Sequence, residues 1–329
     1  EFIRKLPKAE LHLHIEGTLE PGLLFELAKK NRIKLKYRTV KELKKAYCFR
    51  NLQEFLDIYY EGCNVLRTKD DFYELTIRYF SKAHEQGVRH AEIFFDPQTH
   101  TSRGVPFQTV IEGIHKGCED ARKRFSMSSR IIMCFLRHLP EEDAIKTLGQ
   151  AYAYRKWIEA VGLDSSEKGN PPSKFKRAFS MARKYGFRAV AHAGEEGPAS
   201  YVKQAISMLK VSRIDHGNHA LDDKKLVCYL AKMRIPLTVC PLSNLELGVV
   251  KDLRGHPLRE MIEKGLLATI NSDDPAYFGG YIGDNYRAVQ KALKLTNSQM
   301  KQLAKNSFEA SFLPLSKKRR FMNLIDSEP

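Results

Sequence analysis

Short runs of apolar and β-branched residues recur along the chain, each followed by a polar cluster and then by a stretch with helical spacing. The runs are Ala9–Leu13, His90–Phe95, Ile131–Leu136, Val161–Leu163, Ala189–Ala193, Arg213–Ile214, Leu237–Cys240 and Leu267–Ile270. Most are continuously apolar, the mark of strands buried on both faces. Between them, residues 70–86, 173–185, 201–209 and 221–232 carry apolar positions at helical spacing. In the first of these, Phe72, Leu75, Ile77, Tyr79, Phe80 and Ala83 form the apolar side. Gly87, Gly186 and Gly265 close segments of this kind, as glycine does just past a helix end. Strands alternating with helices predict an α/β fold with parallel pairing, and eight such units predict a closed (β/α)8 TIM-type barrel, one domain over 1–329. The stretch of about 15–70 is too long for one loop and helix, and predicts a helical insertion over the barrel mouth. No repeat of roughly 20–50 residues interrupts this order.

The polar residues at the ends of the runs carry the chemistry. Run 1 ends in His12-Leu13-His14, run 4 in Asp164-Ser165-Ser166-Glu167 and run 5 in His192-Ala193-Gly194-Glu195. Run 6 leads to Asp215-His216-Gly217, run 7 to Pro241-Leu242-Ser243-Asn244, and run 8 to Asn271-Ser272-Asp273-Asp274. A barrel brings the carboxyl ends of its strands to one rim, so these distant residues are expected to share a pocket. His12 and His14 alternate on a strand and project to the same face, a spacing suited to two ligands on one metal. Imidazoles with one carboxylate suit zinc with a position left for water. For any single histidine the plain alternative is a hydrogen-bonded core side chain, an explanation hard to extend to all of them.

Composition narrows the class. With 43% apolar and 29% charged residues this is an ordinary globular chain. No stretch of about 18 apolar residues predicts a membrane span, and the N-terminus has no apolar signal core, which predicts a cytoplasmic protein. Six scattered cysteines without a C-x-x-C pair point to reduced thiols, so a metal site here is expected to use histidine and carboxylate. Lysine and arginine outnumber the acids 55 to 39, for a net charge of +16. The basic stretch 29–50 and Lys317-Lys318-Arg319-Arg320 carry neither interleaved aromatics nor a recognition motif. They read as solvated surface, not as a nucleic-acid interface.

Four motifs taken together, Glu10-Leu11-His12-Leu13-His14-Ile15-Glu16-Gly17, His192-Ala193-Gly194-Glu195, Asp215-His216-Gly217 and Ser272-Asp273-Asp274-Pro275, resemble the adenosine/adenine deaminase family, in family order and over essentially the whole chain. Residues 95–104, 162–167 and 271–280 are most similar to its adenine-acting members. The resemblance implies one Zn²⁺ per chain on His12, His14, His192 and Asp273, with His216 beside the attacking water. It further implies that Glu195 gives a proton to N1 of a purine base and that Asp274 holds N7. The reaction implied is hydrolytic deamination of adenine to hypoxanthine and ammonia, in purine salvage. Adenosine or N6-substituted adenines are the alternative substrates for the same mechanism. A basic nucleic-acid binder on an inactive barrel is the reading from outside the class, and the intact ligand set with Glu195 stands against it. A two-metal hydrolase would want a lysine at the strand-4 rim, which is absent there.

Preference for the free base has its own expected carriers. Nucleoside-acting members have H-L-D-G where this chain has His14-Ile15-Glu16-Gly17, and the longer Glu16 is expected to crowd the ribose. Glu167 stands where those members place a glycine facing N3, and is expected to accept a hydrogen bond from N9–H, which nucleosides lack, or from N3–H in the other tautomer. Asp96, Ser102-Arg103-Gly104 and Asn244 are expected to shape or tie the rim. Phe49, Phe55 and Leu56 are candidates for a lid.

Overall fold

The computed structural model describes residues 1–327. Eight strands, β1 (Lys8–His14), β2 (Val88–Phe95), β3 (Ser128–Leu136), β4 (Ile158–Asp164), β5 (Arg188–Ala193), β6 (Arg213–His216), β7 (Leu237–Val239) and β8 (Ala268–Ile270), pair parallel in sequence order. Helices such as Lys69–Glu85, Phe107–Phe125 and Glu141–Tyr152 connect them, giving the expected (β/α)8 barrel. Each apolar run falls within or against its strand, because helices outside and side chains inside leave a strand no wet face; all seven residues of β1 are buried.

β8 is too short to close the barrel itself, and the rim residues beyond it finish the work. Leu13 and Asp273 form a parallel bridge, with His14 N–H donating to Asp273 O at 3.0 Å and Asp273 N–H to His12 O at 3.1 Å. Lower down, Leu11 N–H donates to Asn271 Oδ1 at 2.8 Å. The residues at the ends of the strands thus close the fold as well as line its mouth.

The barrel interior is partly ionic. Arg213 of β6 reaches across to Glu92 of β2 (2.5 Å), to Asp215 (3.3 Å) and to the Leu11 carbonyl (2.9 Å), all buried. Burial alone would push the Glu92 carboxyl up, but the Arg213 charge and the His90 hydrogen bond hold it down at about 2. Toward the amino-terminal end, Lys8 Nζ donates to the carbonyls of Ile3, Leu6 and Gln86 at 2.7–2.8 Å, filling all three of its N–H positions.

Between β1 and the helix Lys69–Glu85 the chain forms helices Pro21–Lys30, Val40–Ala46 and Leu52–Cys63. Asn51 caps the last of these through Glu54 N–H at 3.0 Å. Its Leu52, Phe55, Leu56 and Tyr59 recur at helical spacing and pack with Phe49, Leu247, Tyr277 and Phe278 over the barrel mouth. The segment 201–209 begins as a helix, Ala199–Gln204, and then widens into a π turn over Ala205–Leu209. Among the described residues, no helix is long and apolar enough to cross a membrane.

At the mouth, the chain turns sharply. Ser165, Gly194, His216, Gly217 and Asp273 hold φ of +75°, +74°, +67°, +80° and +62°. Three of these are not glycine, and each such residue costs about 1–3 kcal/mol unless its surroundings impose it. The strain sits where side chains must be aimed inward from a strand end.

Candidate active site

β1 presents His12 and His14 on one face, β5 presents His192 at its fifth residue, and the bridge to Leu13 holds Asp273 between the two β1 histidines. His14 Nε2 lies 3.1 Å from His192 Nε2. Asp273 Oδ1 lies 3.1 Å from His12 Nε2 and 3.5 Å from His14 Nε2. One donor atom from each of the four falls within 4.8 Å of all the others.

The tautomers show what the cluster can hold. His12 Nδ1 lies 3.1 Å from the Thr238 carbonyl, which fixes the proton there and leaves Nε2 as a buried lone pair with no donor facing it. Lone pair against carboxylate, and imidazole nitrogen against imidazole nitrogen, are arrangements only a cation reconciles. Tetrahedral ligands at about 2.0–2.1 Å from a zinc ion stand about 3.3 Å apart, matching the contacts observed. Burial moves His14 down to about 4 and His192 well below its ordinary value, so both present neutral, ligating nitrogens. Burial works against the Asp273 carboxylate, so with neutral rings around it a bound cation is what would hold its charge. Behind His12, Thr238 Oγ1 lies 3.0 Å from Nδ1 and donates to Asp215 at 2.8 Å, tying the ligand into the Arg213 network.

Beside the cluster stand further titratable groups. His216 Nε2 is 3.5 Å from Glu195 Oε2 and 3.7 Å from Asp273 Oδ2, and burial lowers it to about 3. Glu195 is buried with Oε1 unpartnered; burial, then the Asp273 and Glu167 charges, raise it well above the usual carboxylate range. Asp274 is raised by burial and by its neighbour Asp273, and its Oδ1 likewise has no partner. A side-chain carbon at Gly17 would stand 2.0 Å from that oxygen, which accounts for the glycine ending the first motif. His14, His192, Glu195, His216, Asp273 and Asp274 line one pocket, roofed by Leu52, Phe55, Leu56, Tyr59, Tyr60, Leu247 and Phe278.

Glu167 does not line it. Its carboxylate accepts the N–H groups of Gly194 (2.7 Å), Glu195 (3.0 Å), Glu196 (2.8 Å) and Gly197 (2.8 Å), and it is 1% exposed. The expected hydrogen bond from a purine N–H is therefore corrected: both oxygens face the turn that carries Glu195. Glu16 also lies behind the wall, where it accepts from Asp96 N–H (3.1 Å) and pairs with His100 Nε2 (2.8 Å). Arg103 donates to the other nitrogen of that imidazole at 2.6 Å. Residues 95–104 thus tie the rim together, and Asp96 itself enters the cavity wall. Asn244 is paired with His256 at 3.1 Å and lines nothing, while Phe55 and Leu56 form the lid and Phe49 packs beneath it.

Asp96, expected to shape the rim, and Asp164, which ends run 4, both face inward, joined by Tyr59 and Tyr60, for which the chain gave no signal. Asp164 Oδ2 lies 3.5 Å from His14 Nδ1, and neither of its oxygens has a hydrogen-bond donor. The signal for the two acids was position, since Asp96 and Asp164 end β2 and β4 just as His14 and Ala193 end β1 and β5.

A parallel barrel whose strand ends gather three imidazoles, an aspartate and two protonatable carboxyls at one pocket in its mouth defines a barrel hydrolase of the amidohydrolase kind. The family model for adenosine deaminase matches residues 7–328. The adenine deaminase of Acinetobacter baylyi is 56% identical over 99% of this chain and 98% of that protein, and the adenine deaminase of Cupriavidus necator is 56% identical over 99% and 93%. Among solved structures, an adenine deaminase from Arthrobacter aurescens superposes with TM-score 0.96 at 46% identity, over 97% of this chain and 98% of that one. A Burkholderia ambifaria amidohydrolase with bound Zn superposes with TM-score 0.90 at 27% identity, over 99% and 92%. The chain belongs to the adenosine deaminase family and is an enzyme of its adenine deaminase branch.

Proposed function

We propose that the protein hydrolyses adenine to hypoxanthine and ammonia, with one divalent ion held by His12, His14, His192 and Asp273. The observation that carries this reading is the cluster of those four donor atoms at the wall of the cavity that Glu195, His216 and Asp274 line. The donor set suits zinc, which when bound would make a water more acidic and polarise it toward attack.

The chain's own residues supply the rest. Asp274, neutral in its dry site, is suited to share a proton with N7, fixing the ring at one edge. Glu195, kept protonated by burial and by neighbouring charge, gives its proton to N1, which makes C6 electrophilic. His216, neutral and 3.5 Å from Glu195, takes a proton from the attacking water as the C6–O bond forms. That proton passes to the amino group, the C6–N bond breaks, and ammonia leaves. The hydroxyl proton left on C6 returns to Glu195, giving the lactam with N1–H. Glu167 holds the turn under Glu195, and the lid excludes bulk water.

A cytoplasmic role in purine salvage fits this chemistry and the six free cysteines. The substrate is a small base, and the basic surface needs no nucleic acid to explain it. The test follows the ultraviolet loss of adenine, adenosine and N6-methyladenine, with and without a strong chelator, and measures metal per chain. Turnover of adenine that is abolished by chelation and restored by zinc is expected. Chelator-resistant turnover, or preference for adenosine, would overturn the reading.

A further inference from the structure

We infer that Asp96 is the residue that selects a free purine base, by accepting the hydrogen bond of the ring N9–H. The inference rests on the adenine reading and asks which atom recognises the edge of the base far from C6. With Glu167 turned to the backbone amides of 194–197, that acceptor must come from elsewhere on the rim.

The order of the strands locates it. Glu195 follows β5 and Asp274 follows β8, so a ring bound between them at N1 and N7 turns its remaining edge toward the arc made by β1 to β4. Walking round the purine, N7 leads through C8 to N9 on the β8–β1–β2 side, and N1 leads through C2 to N3 on the β5–β4 side. The group standing at the end of β2 is Asp96.

The side chain is built for a ligand. Asp96 is 2% exposed and lines the cavity, yet its Oδ1 has no hydrogen-bond partner. Tyr59 OH donates to Oδ2 at a long 3.3 Å, and the Asp164 carboxyl stands within 4.8 Å on the cavity side, so the two acids face the same space. It precedes the helix Pro97–Thr101 without capping it, so an aspartate in a capping position is instead directed into the cavity. Its backbone is braced from behind by Glu16, which His100 and Arg103 in turn hold. A buried acceptor left open in this way requires a donor. Adenine has one at N9, whereas a nucleoside places a substituted nitrogen and a sugar there.

Kinetics on adenine and 9-methyladenine test the assignment, using the intact metal-loaded enzyme and the variants Asp96→Ala, Asp96→Asn and Tyr59→Phe. The wild type is expected to favour adenine. In Asp96→Ala, kcat/KM for adenine should fall about 10- to 100-fold while that for 9-methyladenine holds or rises, so the ratio collapses. Asp96→Asn retains an acceptor oxygen and Tyr59→Phe leaves the carboxylate in place, so both should keep the ratio within about threefold. Equal losses on both substrates in Asp96→Ala or Asp96→Asn, or an unchanged ratio in Asp96→Ala, would overturn the role of Asp96 alone. A wild type inert toward adenine would instead overturn the reading of the reaction.

Discussion

Glu167→Ala offers the most direct test of how the site is held. The carboxylate receives four N–H groups from consecutive residues 194–197, at 2.7–3.0 Å, and three of those bonds are buried. A buried donor left without a partner costs about 1–3 kcal/mol, so leaving the three buried ones unmet would cost about 3–9 kcal/mol. The turn will rearrange before it bears that whole sum, and Glu195 moves with it. A displacement of about 1 Å at a proton donor is enough for a loss of roughly 10²-fold. We therefore expect kcat on adenine to fall about 10²- to 10³-fold with little change in KM. Metal content should stay at the wild-type level, since none of the four ligands bonds to Glu167. Amide exchange of residues 194–197 should rise in parallel, and Glu167→Gln, which keeps one acceptor but turns an NH₂ toward a backbone N–H, should fall between. A variant that keeps kcat within threefold, with 194–197 still protected, would refute the clamp. A loss confined to KM would return Glu167 to the substrate.

Thr238→Val removes the hydroxyl 3.0 Å from His12 Nδ1 that also donates to Asp215, and should weaken metal binding about 10- to 100-fold in a competition titration against a chelator. Tyr60→Phe cuts the 2.8 Å contact between the lid and Ser165 Oγ, which His138 also joins, and should raise KM for adenine about 3- to 10-fold with kcat nearly unchanged. Glu92 governs acid stability: its folded value of about 2 lies below the ordinary carboxylate value of 4.5, so the unfolded chain binds the extra proton between them. Its contribution is therefore complete above about pH 4.5 and is lost as the pH falls toward 2; Glu92→Gln should be less stable at pH 7 and show a flatter decline across that window in urea titrations.

Much of the fold was legible because a strand buried on both faces must be apolar along its length, and all eight runs coincide with strands. The gathering of His12, His14, His192 and Asp273 was legible for a related reason, since a histidine or aspartate at the end of such a run has nowhere to point but the rim. Glu167 was harder. It stands three residues beyond β4, where the chain has already turned at Ser165 with φ of +75°, and past a left-handed residue strand alternation no longer says which way a side chain faces. Asp96 was expected only as a rim residue, and it takes the third dimension to show that it leaves the following helix uncapped and keeps an oxygen open in the cavity. The ionic core linking Arg213, Glu92 and Asp215 was equally hidden, because each residue alone reads as an interruption of an apolar run.

The rim divides its labour by arc. The proposed metal ligands and proton-handling groups come from β1, β5, β6 and the segment after β8, where the bridge of Asp273 to β1 and the left-handed backbone at His216 and Asp273 set side-chain directions. β2 and β4 contribute Asp96 and Asp164, carboxyls with unpartnered oxygens that burial raises, Asp164 to about 7. Rigid backbone placement suits groups that must meet C6 at a set distance, and open acceptors suit groups whose partner arrives with the substrate. A change of substrate within this fold would then need alteration on β2 and β4, while the ligands and Glu195 could stay as they are. For that reason Asp96→Ala should change which purines are accepted and leave the metal site intact.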